Sequence, residues 1–160
     1  MECEKVQDEL EFRLDDLSGE PTRNLIDRHL RGMYESSPAE SVHAFSVDKL
    51  RHPNVTFWSV WISDEIAGCG ALKRIDSERA EIKSMRVADK FLGRGIGRAI
   101  LQHLLVEARR MGFSSVWLET GSTDTFIPAL KLYESAGFVR CSAFGDYVDD
   151  PFSVFMTLRL

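Results

Sequence analysis

The plainest chemistry in the chain lies between Phe91 and Arg98, in the run Phe-Leu-Gly-Arg-Gly-Ile-Gly-Arg. Three glycines at alternate positions, where a helical pattern begins, leave backbone N–H groups with no side chain in front of them. A helix start has N–H groups without intrahelical partners and carries the positive end of the macrodipole. Such a loop favours phosphate, and Arg94 and Arg98 can add charge-assisted contacts. A flexible turn capped by surface arginines is the plainer alternative. The spacing is neither GxxxxGK followed by Ser or Thr nor GxGxxG after an opening strand, so a triphosphate loop and a dinucleotide fingerprint are both excluded.

The loop needs a strand before it and a helix after it. Ala80 to Val87 reads as the strand and Gly95 to Met111 as the helix, with Ile96, Ile100, Leu101, Leu104, Leu105 and Ala108 on one face and Gly112 as its stop. Upstream, Glu11 to Leu17 reads as a first strand, and Pro21 opens a helix holding Leu25, Ile26, Leu30 and Met33. The segment from Tyr34 to Pro53 is irregular, with a short helix at Val47 to Leu50. Thr56 to Ile62 and Ile66 to Arg74 form a hairpin around Ser63-Asp64-Glu65. Downstream come a buried strand, Ser115 to Glu119, a helix from Phe126 to Ala136 ended by Gly137, and a last strand, Phe152 to Leu160. Strand, crossover helix and strand imply a right-handed parallel unit at the centre.

The 160 residues are 44% hydrophobic and 28% charged, which suits one globular domain over 1–160. The 20 Lys and Arg against 25 Asp and Glu leave a net charge of −5. No overall basic field is available, which argues against a nucleic-acid partner. The negative charge suits a cationic substrate or simple solubility. Cys3, Cys69 and Cys141 are odd in number and widely spaced, so neither a disulfide framework nor a metal site is expected. The acidic N-terminus lacks a signal's basic and apolar parts, and no apolar run reaches membrane length. A cytoplasmic protein with no membrane partner is expected.

Gly95 and Gly97 resemble the central motif of the GNAT superfamily of acyl-CoA-dependent N-acyltransferases: Arg or Gln, two residues, Gly, one residue, then Gly or Ala. Ala129-Leu130-Lys131-Leu132-Tyr133-Glu134-Ser135-Ala136-Gly137-Phe138 is similar to the family's second signature, AxxLYxxxGF. Two positions depart from the pattern. Leu92 stands where Arg or Gln is usual, and Phe126 where many members carry an Asn that touches the pantetheine arm.

The resemblance implies an α/β (α+β) fold, with a mixed, mostly antiparallel twisted sheet, a central parallel strand pair and helices on both faces. It implies acetyl-CoA as cosubstrate and no metal. The pyrophosphate would lie on Leu92, Gly93, Arg94, Gly95, Ile96, Gly97 and Arg98. The pantetheine arm would pair with the strand end Met85, Arg86 and Val87 and pass Phe126 and Ala129. Glu81 would be the general base, often acting through water, and Tyr133 would stand near the departing sulfur. An ion-paired strand carboxylate and a core tyrosine are their respective alternatives. Glu119 could assist as base or attract a cationic acceptor; a cap or salt bridge is its plainer role. Tyr34 and His43, in the irregular region, and the loop Gly145 to Phe152 would form the acceptor pocket.

The activity so implied is acetyl transfer to a primary amine of a small molecule. Acetylation of a protein N-terminus or lysine, and a non-catalytic acyl-CoA-binding regulator, stay open, as does pairing of two chains into a homodimer.

Overall fold

The computed structural model describes residues 9–160, and Cys3 lies outside that range. In chain order the elements are β1 (Leu10–Leu14), α1 (Glu20–Ser36), α2 (Val47–Leu50), β2 (Val55–Ile62), β3 (Glu65–Arg74) and β4 (Arg79–Val87). They continue with α3 (Ile96–Arg110), β5 (Ser115–Gly121), α4 (Ile127–Ser135), β6 (Val139–Cys141) and β7 (Ser153–Arg159). The strands make one seven-stranded sheet in the order β1-β2-β3-β4-β5-β7-β6. Only the β4–β5 pair is parallel.

Two apolar layers sandwich the sheet. Leu25 and Ile26 of α1 pack with Phe57, Cys69 and Ala71 on one face. Ile100, Leu101 and Leu104 of α3, with Leu130 and Tyr133 of α4, pack with Val60, Ile82 and Leu118 on the other. Period-two strands between period-3.6 helices give this arrangement, and burial of each large aliphatic side chain contributes about 1.5–3 kcal/mol.

Among the differences from the sequence reading, three bear on the fold. The first strand stops at Leu14, because Asp15 and Asp16 turn the chain by accepting from the N–H groups of Leu17 and Ser18 (2.7 and 2.9 Å). A 3-10 turn, Asp124–Phe126, replaces the first residue of the expected fourth helix. The three-residue β6 follows Gly137, and its pairing with β7 along the sheet edge makes it a strand. No helix among the described residues is long and apolar enough to cross a membrane.

The feature that positions the site is the end of the parallel pairing. β4 and β5 are in register only at Arg79–Ser115, Ala80–Val116 and Glu81–Trp117. Beyond that point the strands part.

Candidate functional site

A bulge marks the β4 side of this gap. On β3, Cys69 pairs with Arg86 and Ala71 with Lys83, so β4 holds one residue more than its partner between these points. The extra length falls around Ser84, a non-glycine residue at φ +53°. Bulges interrupt the ladder and turn side chains into new directions. Between the parted strands lies a cavity of about 580 Å³, walled by β4 and β5, by α1 on one sheet face and by α4 on the other. It therefore runs through the sheet.

At one mouth is the glycine loop. Gly93 and Gly95 adopt φ +77° and +78°, and a Cβ built at either meets nothing within 4 Å. Their absent side chains leave the backbone open from outside. Gly95 caps α3 without a side-chain bond, and the first helical bond runs from Ala99 N–H to the Gly95 carbonyl (3.2 Å). The N–H groups before Ala99 stay free for an anion. Arg94 and Arg98 are exposed beside them. These features fit the pyrophosphate of CoA. Met85, Arg86, Val87, Leu92, Phe126 and Ala129 all line the cavity, as does Gly97. Phe126 lies so close to Gly121 that any Cβ there would overlap its ring at 2.0 Å, which explains the glycine at the end of β5.

The other side of the gap carries the titratable groups. Glu119 lines the cavity from β5; burial lifts its carboxyl pKa to about 7, with Lys83 opposing that rise and Glu81 adding to it. Glu81 is buried and outside the lining. Its Oε2 accepts a short hydrogen bond from Tyr147 Oη and lies 3.4 Å from Lys83 Nζ. Lys83 also donates to Tyr147 Oη (2.8 Å) and to the His43 carbonyl (3.1 Å), and its ammonium stands 4.2 Å from the centre of the Phe45 ring. Burial lowers its pKa despite the Glu81 charge. His43 meets the Tyr147 ring edge-on and lines the cavity. Ser41 donates to Asp150 (2.6 Å), tying the irregular segment to the C-terminal loop.

Tyr133 opens onto the cavity from α4 while packing in the core. Burial, with the charge of Glu119, pushes its hydroxyl up to about 12. Tyr34 differs: it is 57% exposed and does not line the cavity. The helix lines it through Arg28, His29, Gly32, Met33, Glu35 and Ser36 instead.

The sequence analysis does not single out Arg28, His29, Lys83 or Ser84, and it includes Tyr147 only as part of the loop Gly145 to Phe152. His29 had a visible signal, since it occupies the apolar stripe of α1 between Ile26 and Met33. Lys83 had one too, as a charged residue inside a strand read as central. The tie from Tyr147 to Glu81 spans 66 residues and has no local signature.

Residues 20–138 match the acetyltransferase (GNAT) family. An uncharacterized N-acetyltransferase of Bacillus subtilis strain 168, YsnE, is 49% identical over 94% of this chain and 100% of its own length. YedL, an uncharacterized N-acetyltransferase of Escherichia coli K12, is 44% identical over 93% of this chain and 94% of its own. A GNAT acetyltransferase from Elizabethkingia anophelis, solved with acetyl-CoA bound, has the same fold at a TM-score of 0.70, with 20% identity over 96% of this chain and 99% of that one. Full-length likeness at these identities, joined to a family match that spans both the glycine loop and the α4 signature, means that the chain belongs to the acetyltransferase (GNAT) family and is an acetyl-CoA-dependent acetyltransferase.

Proposed function

We propose that the protein acetylates a primary amine on a small molecule and that Glu119 takes the proton from that amine. The observation that carries this reading is a cavity-lining carboxyl, at the parting of β4 and β5, with its pKa raised to about 7. An amine of pKa near 10 arrives as an ammonium. Giving its proton to an ordinary carboxylate costs about 7–8 kcal/mol, whereas giving it to a group of pKa 7 costs about 4 kcal/mol. The nearby Lys83 charge lowers that cost further by repelling the ammonium.

The freed amine nitrogen bonds to the acetyl carbon, and the carbon–sulfur bond breaks. The amine's remaining surplus proton leaves to solvent, and the thiolate departs with the bonding electrons. Tyr133 donates a hydrogen bond to the departing sulfur. Full transfer from a hydroxyl of pKa about 12 to a thiolate of conjugate pKa near 8.5 would cost about 5 kcal/mol, so donation without transfer is the favoured role. Glu81 acts through its neighbours: it fixes Tyr147 and Lys83, and these hold the cavity wall.

A small acceptor is supported by the ties across the acceptor side. Ser41 to Asp150, and Lys83 to both His43 and Tyr147, tie the segment whose His43 and Ala44 line the cavity to the C-terminal loop and to β4, where an extended peptide would need an open groove. The test is thiol release from acetyl-CoA across a panel of amines and peptides. Release that depends on a small amine and matches acetylated product one to one is expected. Release with peptides alone, or release without any amine, would overturn the reading.

A further inference from the structure

Two of the cations on the acceptor side have no part in acetyl transfer to a plain amine. Arg28 and Arg86 line the cavity together with Lys83 and the carboxylates Glu35 and Glu119. Arg28 Nε lies 3.0 Å from Asp89 Oδ2, and Arg86 Nη2 lies 3.3 Å from Asp89 Oδ1. One half-exposed carboxylate is thus shared by two guanidiniums.

Both guanidiniums converge on Gly32. A Cβ there would stand 3.2 Å from Arg28 Nη1 and 3.3 Å from Arg86 Nη1. Glycine inside a helix costs about 1 kcal/mol relative to alanine, and Gly32 lies within the 17-residue α1. What it provides is room between the two guanidiniums.

Two polar atoms in the same cavity have no partner. His29 is 8% exposed, its Nδ1 makes no hydrogen bond, and it lines the cavity next to Arg28. Ser84 Oγ, at the β4 bulge, is equally buried and unpaired. An orphaned buried polar atom costs about 1–3 kcal/mol, a cost that a polar ligand removes. Burial, reinforced by Arg86 and Lys83, lowers the His29 pKa to about 4, so its ring is neutral near pH 7 and can offer an N–H.

We propose that this wall binds a carboxylate carried by the acceptor, so that the acceptor is an amino acid with its amine toward Glu119 and its carboxylate against Arg28 and Arg86. The inference rests on the amine-acetylation reading above and names its substrate class. Paired guanidiniums suit a planar carboxylate, which can take parallel N–H bonds. The phosphates of CoA have their own site on the other sheet face. There Gly97 sits beside Val87 and Leu132, whereas Arg86, the neighbour of Val87, reaches back to α1.

The test compares each amino acid with its carboxamide and its decarboxylated amine as acceptor, in the wild type, Arg28→Gln, Arg86→Gln, Arg86→Lys and Gly32→Asp. In the wild type the acid is expected to exceed its amide in kcat/KM by about tenfold or more. Arg28→Gln raises the KM of the acid by about tenfold, leaving the amide and acetyl-CoA constants within about twofold; Arg86→Gln also raises the KM of the acid by about tenfold, and Arg86→Lys restores part of the loss. Gly32→Asp places a competing carboxylate between the guanidiniums and also raises the KM of the acid. Equal use of acids and amides by the wild type overturns the proposal. So does a rise in the acetyl-CoA KM alone, which would give the arginines to CoA. Calorimetry of amino acids against the CoA-loaded protein separates the two readings. Acids that bind the wild type more tightly than Arg86→Gln, with no amine acetylated, would sink the transfer reading and leave the carboxylate site standing. Acids that neither bind nor react overturn the site itself.

Discussion

The two sides of the cavity are built by different means. The side proposed for the CoA phosphates is one continuous run of backbone, Gly93 to Arg98, in which glycine conformation and a helix start leave N–H groups open. The acceptor side is assembled from α1, the segment before α2 and the parted ends of β4 and β5, with the loop before β7 tied to that segment and to β4. Its groups are side chains tied to one another over distances of up to 109 residues. A site made of local backbone tolerates change in its side chains, which is why Leu92 can stand at its edge. A site made of converging side chains depends on each member.

Substitutions on the two sides should therefore fail differently. The largest effect is expected from Glu119→Gln, with kcat/KM for the acceptor down by about 10²–10⁴ and CoA affinity unchanged by calorimetry. Gly95→Asp should do the reverse. It forces a side chain into a left-handed conformation, at about 1–3 kcal/mol, and sets a negative charge before the phosphates. CoA binding should weaken by about tenfold or more; wild-type affinity in this variant would erase the distinction between the two sides.

Tyr133→Phe removes a hydroxyl and keeps the packing. A fall of about tenfold in turnover, with CoA affinity retained, is expected where chemistry limits the rate. Unchanged turnover with lowered thermal stability would make it a core residue only. Tyr147→Phe leaves Glu81 without its donor and Lys83 with one acceptor fewer. At about 1–2 kcal/mol for such a loss, the melting temperature should drop by about 2–8 °C. No change would mean that the Glu81 cluster contributes nothing to holding the wall.

A pH dependence of stability is expected as well. The Glu119 carboxyl titrates near 7 in the fold against 4.5 unfolded. Between those values the folded state binds more protons, so wild-type stability falls as pH rises through that window. Glu119→Gln lacks this loss, and its melting temperature relative to wild type should climb from pH 4.5 to pH 7.

The same contrast explains what could be read before the fold was known. The glycine loop, the α4 signature and every helix were legible, because capping glycines and 3.6-residue periodicity are local. β4 and β5 were legible as strands, and the resemblance implied that they pair. The point at which they part, after Glu81 and Trp117, was not legible, since it depends on a bulge at Ser84 with no distinctive residue type. The resemblance implied Glu81 as the base, with an ion-paired strand carboxylate as its alternative; its bond from Tyr147, 66 residues away, had no local signature. Glu119 gained weight only when burial was known. His29 and Gly32, polar and small residues on the inner side of an amphipathic helix, were the clearest signals left unread.

The central claim is that Glu119 receives the amine's proton, and the most direct measurement is kcat/KM for the acceptor against pH in wild type, Glu119→Gln and Glu81→Gln. The wild type should show an acid limb with an apparent pKa near 7, in addition to the ionisation of the amine itself. Glu81→Gln should keep that limb, shifted down because one neighbouring negative charge is gone, and Glu119→Gln should lose it. A limb that survives in Glu119→Gln and disappears in Glu81→Gln would contradict the account and return the role of base to Glu81.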